Sequence, residues 1–201
     1  MTHQNADAQD PADSVLAIAA SRGDDAAFAA LYARYAPRIE GYLARLVGDR
    51  HLAEDVTHEV FVSALRRLRQ DRPPIAFGPW LFRIARNAAI DRSRKTRPDM
   101  SIDELTNHPE SGQNVEAEAA RSIERDTLFN AMSKLKSDYR EVLLLRFVEG
   151  YGAADVGRMT GRSEGAVRTL QHRALDRLRK ELDRMGQLSL FERVSGEDAA
   201  E

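Results

Sequence analysis

Residues 138–184 read DYREVLLLRFVEGYGAADVGRMTGRSEGAVRTLQHRALDRLRKELDR, and the spacing inside this stretch decides the fold. Val142, Leu143, Leu145 and Phe147 predict a helix from Asp138 to Val148, ended by Gly150. Gly152 to Gly161 predicts a helix of about two turns, closed by its terminal glycine. Arg162, Ser163 and Glu164 make a tight turn. Gly165 to Asp183 form a long final helix that buries Val167, Leu170, Ala174, Leu178 and Leu182. Helix, short turn, helix is the pattern of a helix-turn-helix first, with an ordinary helical hairpin in a bundle as the alternative. Gly152 and Gly157 weaken the middle helix by about 1 kcal/mol each relative to alanine.

Upstream, Ile123, Leu128, Met132 and Leu135 predict one more helix. The first half of the chain is also helical in pattern. Ser14 can cap a short helix to Arg22, stopped by Gly23. Asp24 or Asp25 starts a longer one carrying Phe28, Leu31, Tyr32, Tyr35, Ile39, Tyr42, Leu43 and Leu46, with a kink or break expected at Pro37. Leu52, Val56, Val60, Phe61, Ala64, Leu65 and Leu68 form the stripe of the next. Residues 71–79, rich in proline, are expected to be irregular. A last helix runs from Trp80 to about Lys95, with Leu81, Ile84, Ala85 and Ala88 inward. The expected fold is all-α: two small helical domains, residues 13–97 and 120–184, joined by a flexible acidic linker, residues 98–119. A disordered acidic tail (1–12) and a C-terminal tail (185–201) flank them. In the latter, Leu188, Leu190 and Phe191 are open to a regulator contact or to packing on the chain itself.

The chain has 201 residues, enough for one domain or two small ones, and 42% are hydrophobic, which excludes wholesale disorder. Cysteine is absent, so disulfides, thiolate metal sites and cysteine nucleophiles are excluded. No apolar run reaches the roughly 18 residues of a membrane span, and the N-terminus lacks the marks of a signal peptide. The expectation is a cytoplasmic protein without a membrane span.

The net charge of -2 speaks against nucleic acid until it is resolved along the chain. Residues 80–97 hold Arg83, Arg86, Arg92, Arg94, Lys95 and Arg97 against Asp91, a net of +5. Residues 162–184 carry +3 and residues 99–126 carry −6. A basic helix face is the electrostatic footprint of phosphate binding, although many such runs are only solvated.

Two further faces stand out. Asp55, Glu59, Val62 and Arg66 recur at three-to-four spacing opposite the core stripe, a pattern for docking a partner helix or for plain solvent exposure. Trp80, Arg83, Asn87 and Arg94 share another face: indole stacks on a base, arginine pairs with phosphate, asparagine reads a base edge. Phe77, between Pro74 and Pro79, is read as part of a loop framing a pocket for an unstacked base. Trp80 is also open to a role in the core. Enzyme signals fail: His58-Glu59 lacks the second histidine of a zinc protease, the histidines lack ligand spacing, and no glycine-rich phosphate loop or Gly-x-Ser-x-Gly occurs. No cofactor, metal or small-molecule substrate is expected.

Residues 53–62 (AEDVTHEVFV) and 80–92 (WLFRIARNAAIDR) together resemble region 2 of bacterial sigma-70-type sigma factors, nearest the extracytoplasmic-function (group 4) class. The segments 135–150 and 165–175 resemble region 4 of the same class. The resemblance implies that Asp55, Glu59, Val62 and Arg66 bind core RNA polymerase. It implies that Phe77, Trp80, Arg83, Asn87 and Arg94 bind the −10 element of promoter DNA, with capture of a flipped base. It places Ser163, Glu164, Arg168, Thr169, His172, Arg173 and Arg177 at the −35 element. An anti-sigma factor is the implied regulator. Two other classes stay open on the residues alone: a stand-alone helix-turn-helix regulator, which needs no second basic face, and a helical scaffold or anti-sigma protein, which needs neither.

Overall fold

A computed structural model describes residues 11–71, 73–96 and 116–191. Helix α1 is Pro11–Ser21, α2 Asp25–Val47, α3 Arg50–Gln70, and α4 Phe77–Thr96. The second half has α5 Glu116–Ser133, α6 Ser137–Leu143, α7 Ala153–Thr160 and α8 Glu164–Arg184.

Local chemistry sets these boundaries. The Asp24 carboxylate accepts from the Ala27 N–H at 3.0 Å, and Asp49 caps α3 through the Leu52 N–H at the same distance. Gly48, at φ 73°, ends α2 with its N–H on the Ala44 carbonyl. α2 runs through Pro37 as one helix, so of the expected kink or break the break does not occur, and the proline is exposed. α4 begins at Phe77, not Trp80. Pro79 is tolerated because a proline in the first turn lacks only an N–H that has no partner within the helix. α1 starts at Pro11, inside the expected tail, and α5 at Glu116, inside the expected linker. Ile123 lies on α5 as expected but is 65% exposed.

The first half packs Leu31, Ile39 and Leu43 of α2 against Val56, Val60 and Ala64 of α3 and Leu81 and Ala85 of α4. The second half buries Val142, Leu143, Leu145, Val156, Met159, Val167, Ala174, Leu178 and Leu182. Gly186, at φ 68°, turns the chain into a short helical segment over residues 188–191, and Leu190 is buried. That resolves the C-terminal patch in favour of packing on the chain itself.

α6 passes into a π-helical turn over Leu144–Val148. The Tyr151 N–H reaches the Leu145 carbonyl at 3.0 Å. The wider turn changes the rotation per residue and brings Glu149 and Tyr151 to the buried side facing α2 and α4. The two halves are therefore not beads on a string: α4 lies against α7, and α2 against α6.

Gly157 reads differently once folded. A Cβ there would sit 2.6 Å from the Arg162 backbone carbonyl, so α7 meets the following turn only because residue 157 lacks a side chain. Gly152 is the N-cap of α7 and carries no interior penalty. Gly157→Ala is expected to lower stability by about 1–3 kcal/mol through overpacking, despite alanine's better helix propensity. Urea unfolding followed by circular dichroism measures it.

Candidate nucleic-acid interface

Three faces result. On α3, Asp55, Glu59, Val62 and Arg66 are all exposed on one side, while Val56, Val60 and Ala64 fill the core behind them. Val62 is 46% exposed, an apolar residue set among charges. Glu59 also accepts from Arg92 of α4 at 3.3 Å, across an open groove lined by Ser63, Arg67 and Asn87.

On α4, Arg83 and Asn87 are exposed one turn apart. Trp80 is half-buried, its ring 5.7 Å from Phe77. Phe77 departs from its expected loop. It sits in the first turn of α4, 2% exposed, edge-on to Tyr35 at 5.3 Å. Its ring supports Trp80 from below and is closed to a base. The side chain of Arg94 lies outside the described residues.

On α8, Val167, Ala174, Leu178 and Leu182 face inward, and Arg168, His172, Arg173 and Arg177 face out. The Ser163 hydroxyl caps the helix, accepting from the Ala166 N–H at 3.2 Å, so it fixes where the outward face begins. Glu164 holds Arg168 at 2.6 Å one turn along. The Thr169 hydroxyl donates to the Gly165 carbonyl at 2.9 Å. His172 lies 3.8 Å from Asp176. Arg146 of the π-helical turn bonds Gln171 at 2.9 Å and the Tyr151 carbonyl at 2.5 Å, tying α8 to the segment before α7. The arrangement presents an exposed, arginine-bearing helix surface, with Arg168 near its N-terminal end.

Sequence reading missed the residues that join the halves. Arg86, counted in the basic run of α4, turns inward and meets Glu141 at 2.6 Å. Arg38 meets Glu149 at 3.0 Å. Burial raises the pKa of both carboxyls above the ordinary carboxylate range, despite the guanidinium beside each. One signal was available: Glu141 falls on the same helical face as Leu144 and Leu145, where an acid must find a partner.

Residues 31–98 match Sigma-70 region 2, and residues 131–180 match Sigma-70, region 4. The RNA polymerase sigma factor CarQ of Myxococcus xanthus is 36% identical over 84% of this chain and 94% of its own. The ECF RNA polymerase sigma factor SigW of Bacillus subtilis is 31% identical over 80% of this chain and 91% of its own. The chain belongs to the extracytoplasmic-function sigma factors of the sigma-70 family. The structure of CnrH in complex with the cytosolic domain of CnrY has the same fold, with a TM-score of 0.66 and 26% identity over 86% of this chain and 97% of that one. As a sigma factor the protein directs RNA polymerase to promoters and acts in transcription initiation. The readings as a stand-alone regulator or a scaffold gain no support. Among the described residues no helix is long and apolar enough to cross a membrane, and no group of three or more acidic, histidine or cysteine residues is placed to hold a metal.

Proposed function

We propose that this sigma factor divides its labour among three surfaces. Asp55, Glu59, Val62 and Arg66 of α3 dock on the largest subunit of core RNA polymerase. Trp80, Arg83 and Asn87 of α4, with Arg94, bind the −10 element, Trp80 stacking on an unpaired base. Glu164, Arg168, Thr169, His172, Arg173 and Arg177 of α8 bind the −35 element, and Ser163 holds the start of that helix. Residues 13–97 act as the region 2 unit and residues 120–184 as region 4. The observation that carries this reading is that α4 and α8 each bury one face and expose polar, arginine-bearing residues on the other.

Region 2 and region 4 bind weakly alone. Held together by polymerase, they gain affinity through effective concentration. The protein is a binding subunit without catalytic residues or cofactor, acting in the cytoplasm where polymerase works. CnrH, a solved relative, is held by the cytosolic domain of CnrY. A corresponding anti-sigma partner here would cover the exposed α3 and α4 faces.

Within α8 the roles separate. Arg168→Ala is expected to change promoter preference at one −35 position, with about 1–3 kcal/mol of lost discrimination. Arg177→Ala is expected to weaken all promoters alike and to reduce the salt slope by about one. Run-off transcription with core polymerase on a promoter set, at two salt concentrations, measures both. Equal losses across promoters for the two variants contradict the division.

A further inference from the structure

The contacts behind Trp80 run from α4 through α2 to α1. Phe77 and Trp80 stand three residues apart on α4, about one helical turn, and their rings meet with centroids 5.7 Å apart and planes at 46°. Phe77 is 2% exposed and lies edge-on to Tyr35 of α2 at 5.3 Å. The Tyr35 hydroxyl donates to the Asp13 carboxylate of α1 at 2.5 Å. Arg34 donates to the other oxygen of that carboxylate, so the buried charge is paired. Burial and the bond to Asp13 push the Tyr35 phenol far above its ordinary range, so it stays protonated and remains the donor. A Cβ on Gly78 would lie 2.6 Å from the Tyr151 hydroxyl and 3.0 Å from that of Tyr35. The backbone between Phe77 and Trp80 thus rests directly on the tyrosine.

An indole turns about two side-chain bonds and settles in a few staggered poses. A base that stacks on a loose ring must immobilise it, which weakens the stack by about 2- to 12-fold. A ring held before the base arrives carries no such loss. Phe77 fills the space into which the indole would otherwise fold, and leaves the rest of the ring open. The bond from Tyr35 to Asp13 suits this task better than it suits a core. Apolar groups of the same shape would fill the space as well or better, whereas a hydrogen bond sets where the ring sits along its own axis.

We propose that Phe77 and Tyr35, anchored by Asp13, are positioning residues for promoter opening. They hold Trp80 in the pose that stacks on an unpaired base of the −10 element. Through Asp13, α1 contributes to opening from the side of the helix bundle behind that base.

The chain has one tryptophan, so fluorescence anisotropy decay of the free full-length protein reports on Trp80 alone. Phe77→Leu keeps an apolar filling, and Tyr35→Phe removes only the hydroxyl. Each is expected to add a fast component to the decay. With core polymerase, each is expected to slow opening, read by permanganate reactivity, by about 2- to 12-fold. Core polymerase affinity stays within about twofold. The deciding variants carry Trp80→Ala as well. In that background neither substitution lowers opening further, because both act only through the indole. Losses that add in full to that of Trp80→Ala assign Phe77 and Tyr35 a merely structural role and overturn the proposal. So does an indole that moves no faster in either variant. Circular dichroism checks folding, and if Phe77→Leu loses helix, Tyr35→Phe carries the test. The proposal rests on the reading of Trp80 as the stacking residue, and the two fail separately. Trp80→Ala without effect on opening contradicts that reading, while the anisotropy decay still decides whether Phe77 and Tyr35 hold the ring.

Discussion

Arg140→Leu is expected to lower the stability of the protein by about 4 kcal/mol. The Arg140 side chain is 2% exposed and donates to the carbonyls of Met132, Ser133 and Leu135, where α5 ends, and to that of Leu46, near the end of α2. Helix C-termini leave their last carbonyls without intrahelical partners and carry partial negative charge. One guanidinium thus satisfies two helix ends, one in each half of the molecule. Leucine fills similar space and supplies no donor, leaving buried acceptors that each cost about 1–3 kcal/mol, less than additively. Arg140→Lys keeps the charge but not the planar fork, so it is expected to recover only part of the loss. Urea unfolding followed by circular dichroism gives both values. A change below about 1 kcal/mol for Arg140→Leu would mean that water satisfies those carbonyls.

Trp80→Ala is expected to reduce open-complex formation by about 5- to 150-fold, the equivalent of one base stacked on an aromatic ring at 1–3 kcal/mol. The indole is half-buried at the start of α4 and rests on Phe77, which packs in turn against Tyr35. Core polymerase affinity should stay within about twofold, because the indole lies on α4, away from the exposed α3 stripe, and rim effects at a distance are small. Permanganate reactivity of the unpaired strand reads the opening directly. A template opened in advance across the −10 element separates function from folding: it should restore most of the loss, since part of what the indole supplies is the cost of taking a base out of the stack. An equal loss on closed and pre-opened templates would assign Trp80 to the core.

What sequence reading captured was periodicity. Three-to-four spacing placed α2, α3 and α8 within a few residues, because each has one buried stripe and a clear cap: Asp24, Asp49 and Ser163. The exposed faces of α3 and α8 follow from the same spacing, as does the resemblance to sigma regions 2 and 4. Phe77 was misplaced because prolines on either side suggest a loop, while Pro79 is compatible with the first turn of a helix. Ile123 lies on its expected helix but outside the core, because one isoleucine near a helix start satisfies the period without being needed there.

The joint between the halves was not legible, for a physical reason. Charge arithmetic treats every arginine as surface, yet Arg86, Arg38 and Arg140 spend their charge on buried partners from distant parts of the chain. Pairings about 50 to 110 residues apart leave no periodic trace. The π-helical turn that brings Glu149 and Tyr151 inward is likewise silent, since its residues have the composition of an ordinary helix.

The central claim is that three faces of one helical chain place RNA polymerase on two promoter elements. Run-off transcription with purified core polymerase on a randomised promoter library tests it most directly. The account predicts transcripts that depend on this protein, starting downstream of two shared elements, and lost when Asp55 and Glu59 are both changed to lysine. Absence of binding to core polymerase, or specific binding of the protein alone as a dimer to paired half-sites, would contradict it.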